Sequence, residues 1–123
     1  MDNYNPNCLF CKISIGEIKS KNVYEDEEFV AFYDIYPVAN THVLIIPRKH
    51  ISTLSSVNVN DAPLLGKMLL LVAHIAEILG VSDTGKDTSG FRTVINTGKG
   101  AGQEVRHLHA HILAGPRPWD RMD

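Results

Sequence analysis

Residues 104–115 read EVRHLHAHILAG and place His107, His109 and His111 at alternate positions, so half of the chain's six histidines fall within five residues. In an extended strand, successive side chains point to opposite faces and same-face neighbours stand roughly 6.5–7 Å apart. All three imidazoles then line one face and Leu108, Ala110 and Ile112 the other. A helix cannot hold this set together, because positions two apart lie on nearly opposite sides of it.

Three chemistries fit a strand with an apolar back and a histidine front. The first is a solvated face without function. The second is a metal site, since neutral imidazole is a common transition-metal ligand. The outer two histidines are roughly 13 Å apart in a straight strand, so at most two of the three can share an ion. The third is covalent catalysis at phosphorus, in which an imidazole nitrogen displaces a leaving group and is then released by water. That nucleophile needs an acceptor on its second nitrogen and donors where charge develops on the phosphoryl oxygens. GAGQ (residues 100–103) leads into the strand; its glycines permit close backbone approach to a phosphate and Gln103 offers an amide donor, although a plain turn reads the same way.

With these residues in view, the pattern from His107 to Leu113 resembles the histidine-triad signature. LFCKISIGEI (9–18), AFYDIYPVANTHVLIIPRKHIS (31–52) and NTGKGAGQEVRHLHAH (96–111) are similar, in order and spacing, to histidine triad nucleotide-binding proteins. The resemblance covers nearly the whole chain. It implies an α+β homodimer whose sheets join across the interface, and hydrolysis of purine nucleoside 5′-phosphoramidates, with aminoacyl adenylates as further substrates. It implies that His109 is the nucleophile, that His111 donates to the phosphate, that His107 closes the other side of the triad and that His42 supports the nucleophile from a neighbouring strand. By the same resemblance Asp34 accepts from the ribose hydroxyls, where the residue alone reads as a turn aspartate at a strand end. Phe10, Ile13, Ile18 and Ile35 match base-contacting positions, each of which also reads as core. Asn96, Gly102, Gln103, Glu104 and Val105 match positions around the phosphate and leaving group. Glu104, where serine is common in eukaryotic members, Arg106, where an aromatic is common, and the tail PRPWDRMD depart from the pattern.

The resemblance leaves two rival functions: a nucleotide-binding or interaction module with incidental hydrolysis, and a dinucleoside polyphosphate hydrolase. In the branch that cleaves dinucleotides, a glutamine lies two residues after the nucleophile. Here that position is His111, which favours the phosphoramidase branch.

Cys8 and Cys11 form a two-residue-spaced pair, half of a tetrahedral zinc site, a redox pair or two buried thiols. In the wider superfamily, members with this pair complete a structural zinc site with histidines that here are His50 and His107. Catalysis by His109 requires no cofactor on this reading.

The elements that position these residues are legible from periodicity. A short helix is expected over residues 8–15, ended by Gly16. Val23–Tyr24 and Phe29–Tyr33 read as strands around an acidic turn, with Asp34 emerging at the end of the second, and His42–Pro47 as a third strand. Asn60–Gly80 reads as a helix capped by Asn60 or Asp61, with a stripe of Leu65, Met68, Leu69, Val72, Ile75, Ala76 and Leu79. His74 falls within it as a partly exposed helix residue. Phe91–Asn96 and the histidine stretch supply two more strands. The expectation is one domain over residues 1–123, an antiparallel sheet of about five strands with one long helix packed on it.

Composition sets the bounds. At 123 residues, 44% hydrophobic and a formal net charge of −2, nothing predicts nucleic acid or an anionic membrane as a partner. MDNYNPN carries neither the basic segment nor the apolar stretch of a signal peptide, and the longest apolar run, Met68 to Ala73, stops at His74. A cytoplasmic protein is expected, in keeping with the sparse cysteines.

Overall fold

The computed structural model describes residues 4–116; the part of the departing tail PRPWDRMD beyond Pro116 lies outside them. Five strands, β1 (Asn22–Glu25), β2 (Phe29–Tyr33), β3 (Thr41–Pro47), β4 (Arg92–Val94) and β5 (Ala110–Ala114), form one sheet in the order β1-β2-β3-β5-β4. Every neighbouring pair is antiparallel. Helix α1 (Leu9–Ser14) precedes the sheet, and α2 (Ala62–Ile78) connects β3 to β4. No helix among the described residues is long and apolar enough to cross a membrane.

The alternation of the strands divides the core between the two faces. Phe29, Ala31, Val43, Ile45, Leu108, Ala110 and Ile112 pack with Met68, Leu71, Val72 and Ile75 of α2. Complete burial of side chains such as Met68 and Ile75 contributes roughly 1.5–3 kcal/mol each. On the opposite face Val30, Phe32, Leu44 and Ile46 pack with Phe10, Cys11 and Ile13 of α1. The sheet therefore carries its long helix on one side, and its histidines face α1 on the other.

Three local expectations are corrected. Leu69, placed on the buried stripe of α2, is 58% exposed, while Leu71 is buried in its stead. Asp61 precedes α2 but makes no side-chain cap; its carboxylate instead accepts from the Asn58 backbone N–H at 3.0 Å and pairs with Lys49 at 3.2 Å. A 3₁₀ turn, Val59–Asp61, and a proline in the first turn start the helix. Finally, the histidine strand begins at Ala110 rather than before His107. Residues 107–109 lie beyond the ladder for two reasons: β3 ends in Pro47, which has no N–H to donate, and the His107 carbonyl is spent on a side chain. This run is fastened by Leu108 N–H donating to the Ile51 carbonyl at 2.6 Å.

Candidate active site

A cavity of about 1170 Å³ opens on the α1 side of the sheet, lined by His42, His109 and His111 together with Asp34, Asn96, Gly102, Glu104 and Val105. Phe10, Ile13, Ile18 and Ile35, the four residues matched to base contacts, line it as well. Phe10 and Ile13 are buried while Ile35 is 80% exposed, so one wall is fixed by the core and the other stands free. Phe32 and Leu44, not singled out from sequence, extend the apolar surface; both sit at the in-facing positions of their strands. Lys19, Ser20 and Lys21 also reach this cavity and carried no sequence signal.

Backbone groups fix the tautomers of the histidines. His109 Nδ1 lies 2.7 Å from the His107 carbonyl, which can only accept, so Nδ1 carries the proton and Nε2 keeps its lone pair. His42 Nδ1 accepts from the Val38 backbone N–H at 3.1 Å. Its proton is therefore on Nε2, 2.9 Å from His111 Nδ1 and 3.5 Å from Asp34 Oδ2. His111 Nδ1 in turn accepts, which leaves the proton on Nε2, the buried side-chain nitrogen with no partner among the described residues. The result is a bare nitrogen on His109 beside an unspent N–H on His111, with ring centroids 5.0 Å apart. A buried donor without a partner is costly and marks a place for a bound acceptor.

Burial lowers the pKa of all three cavity histidines. Desolvation drives His111 down to about 4, His109 and His42 adding their repulsion and Asp34 opposing. Desolvation also lowers His109, against its bond to the His107 carbonyl and the field of Asp34, and lowers His42 against Asp34. Neutral imidazoles are the form in which the tautomer chain operates.

His42 touches His111 and Asp34; its expected support of His109 thus runs through His111. Gln103 departs further from expectation. Its side chain is buried and turned into the protein: Nε2 donates to the Ser52 carbonyl at 2.8 Å and the Val105 carbonyl at 3.0 Å, and Oε1 accepts from Gly98 N–H at 2.8 Å. With both side-chain N–H groups engaged, its amide shapes the loop instead of offering a donor to the cavity. The loop turns at Gly98 (φ 86°) and Gly102 (φ 89°), conformations that a Cβ strongly disfavours.

His107 is fully buried and does not line the cavity. Its Nε2 donates to the Pro47 carbonyl at 2.7 Å, so the bare Nδ1 faces Cys8 Sγ at 3.3 Å, Cys11 Sγ at 3.6 Å and His50 Nδ1 at 3.2 Å. Cys11 Sγ lies 3.3 Å from His50 Nδ1. All four donor atoms fall within 4.8 Å of one another. Around a tetrahedral zinc, two imidazole nitrogens stand ~3.3 Å apart and a nitrogen and a thiolate sulfur ~3.6 Å apart, from the usual bond lengths. These soft donors fit such an ion in both type and spacing. Asp34, His42 and His111 also lie within 4.8 Å of one another, but the proton on His42 Nε2 makes that group a hydrogen-bond relay.

The family whose sequence profile matches residues 15–117 is the HIT domain. This chain belongs to the HIT domain family. Among HIT-domain relatives, Protein HitA of Neisseria gonorrhoeae is 51% identical over 110 residues, covering 89% of this chain and 97% of its own. The purine nucleoside phosphoramidase of Escherichia coli strain K12 is 42% identical over 114 residues, covering 93% and 91%. The crystal structure of a HIT family hydrolase from Legionella pneumophila superposes with a TM-score of 0.84 at 47% identity, covering 90% of this chain and 95% of that one. The five-stranded antiparallel sheet with one long helix is the HIT fold expected from sequence.

Proposed function

We propose that this HIT protein is a hydrolase that cleaves the P–N bond of purine nucleoside 5′-phosphoramidates, and the acyl-side P–O bond of aminoacyl adenylates, through a nucleotidyl-histidine. The observation that carries the reading is the pair of neighbouring imidazoles held in complementary states, His109 with a free lone pair and His111 with a free N–H. The naming of the E. coli relative supports it.

In the first step His109 Nε2 attacks the α-phosphorus, the P–N bond breaks and the amine leaves with a proton taken from solvent. The ring becomes cationic, and its Nδ1–H bond to the His107 carbonyl stabilises that charge. His111 Nε2–H donates to a phosphoryl oxygen as charge develops there. Water then attacks phosphorus, the P–Nε2 bond breaks, and the monophosphate, a proton to solvent and neutral His109 are released. Asp34, at the end of β2, accepts from the vicinal hydroxyls of ribose, for which a carboxylate is suited because it takes two hydrogen bonds. Phe10, Ile13, Ile18 and Ile35 enclose the purine. Asn96, Gly102, Glu104 and Val105 border the phosphate and leaving group. Cys8, Cys11, His50 and His107 would hold a zinc ion, which would supply structure alone, since four protein ligands would leave no open position for an activated water. The partner is a second copy of the chain, the cellular setting the cytoplasm.

The test is a substrate panel of adenosine and guanosine 5′-phosphoramidates, diadenosine polyphosphates and sugar nucleotides, assayed with the native chain and His109→Gly. Turnover of the amides is expected to fall on the order of 10³-fold or more in the variant, with adenosine monophosphate binding within a few-fold by calorimetry. Rapid-quench mass spectrometry of the native enzyme should trap the adduct on His109. Preferred cleavage of dinucleotides, or turnover that survives His109→Gly, would overturn the reading.

A further inference from the structure

A second cavity, of about 280 Å³, shares Leu9, Glu104 and Val105 with the first but reaches none of His42, His109 and His111, and opens on the thiol cluster. Its lining includes Cys8 and His50, with Asn5, Asn7 and Arg106 nearer solvent. Cys8 and Cys11 are free thiols, 7% and 0% exposed, so this opening is where small solutes meet Cys8. The sulfurs sit at the start of α1, where Cys8 Sγ accepts from the Cys11 N–H at 3.3 Å and Cys11 Sγ from the Asn5 N–H at 3.4 Å. Cα atoms three apart at a helix start are roughly 5–6 Å from each other, inside the range a disulfide spans. The two sulfurs are within 4.8 Å already. Nothing in the proposed hydrolysis uses a thiol.

We propose that Cys8 and Cys11 are an oxidisable dithiol, modified by hydrogen peroxide that enters through the 280 Å³ cavity and joins them in an intrachain disulfide. Cys8, the sulfur lining the cavity, attacks one peroxide oxygen; the O–O bond breaks and hydroxide leaves, giving a sulfenic acid. Cys11 then attacks the Cys8 sulfur, the S–O bond breaks and a second hydroxide departs. Two thiols and one peroxide become one disulfide and two waters. A disulfide sulfur has no thiolate charge, so a cation held by the four donors leaves. Phe10 lies between the two cysteines in sequence and meets the His109 ring edge-on at 5.1 Å. Oxidation is thereby felt at the triad, and a dithiol reductant reverses it.

The experiment exposes the zinc-loaded full chain to hydrogen peroxide under native conditions and follows intact mass, free thiols and released zinc with a chromogenic chelator. These readouts need no turnover, so they stand or fall separately from the proposed hydrolysis. Expected is a loss of two hydrogens per chain, a Cys8–Cys11 bridge by peptide mapping and release of one zinc, all restored by dithiothreitol and zinc. In Cys11→Ser, dimedone should label Cys8. Asn7→Trp, which fills the cavity mouth, should slow oxidation several-fold. Thiols that stay reduced until methionines oxidise, or bridges only between chains, would overturn the proposal; an unchanged rate in Asn7→Trp would overturn the assigned route.

Discussion

At the scale of single residues, the site depends on imidazoles that remain neutral. His111 is pushed down to about 4 by burial and by its histidine neighbours, against an ordinary value near 6.5. The folded state therefore binds fewer protons than the unfolded one between those two values. For a depressed histidine the sign is definite: stability is level above about pH 6.5, falls as pH drops toward about 4, and levels again below. His42 and His109 are shifted in the same direction, so their contributions add. Urea midpoints measured from about pH 7.5 to about pH 4.5 should decline with falling pH, and His111→Asn should reduce the slope. A midpoint indifferent to pH across that window would count against the tautomer chain. That chain also explains the roles of two backbone groups: the Val38 N–H and the His107 carbonyl each determine which nitrogen of a ring bears its proton.

Among elements, α1 matters out of proportion to its six residues, too few to be stable alone. It is held by Phe10 and Ile13 in the core, by Arg48 donating to the Ser14 carbonyl and by the cysteines beside His50 and His107. If zinc joins these four, removing it unfastens α1 from the run 107–109 that precedes β5. Chelation should then lower the melting temperature by roughly 10 °C or more, the effect of a few kcal/mol in a domain of this size. The attack proposed for His109 makes no use of the ion. Below the lowered transition, rapid-quench labelling of His109 in chelator should therefore persist. Loss of the adduct while circular dichroism shows an intact fold would make the metal part of the chemistry.

For the whole molecule, two surfaces ask for a partner. Among the described residues β4 is the last strand of the sheet, next to β5 alone, and sheet edges are prone to pair with another chain. On α2, Gly66, Leu69, Leu70 and Ala73 recur at helical spacing on the exposed side, Leu70 at 74% exposure. Joining two copies about a two-fold axis covers both kinds of surface in a self-complementary way. Sedimentation at micromolar concentration is expected to give a dimer, and Leu70→Glu to shift it toward monomer. A native chain that sediments as a monomer would contradict this assembly.

The division of the histidine stretch was legible in the sequence, because alternation is a property of neighbours along the chain. Leu108, Ala110 and Ile112 lie in the α2 core, while His107, His109 and His111 face the other way. The gathering of Cys8, Cys11, His50 and His107, and of Asp34 near the triad, was reached through a resemblance and is what the fold brings together. Periodicity also placed α2, yet misjudged Leu69 against Leu71, since leucines within one run differ only in the surface they meet. Gln103 read as a donor for ligand, and only the positions of Ser52, Val105 and Gly98 showed its amide to be occupied. Sequence determined which side chains could do the chemistry. Tertiary structure decided which nitrogen of each imidazole is free to do it, because the groups that set the protons are backbone carbonyls and amides, alike at almost every residue and distinguished only by where the fold puts them.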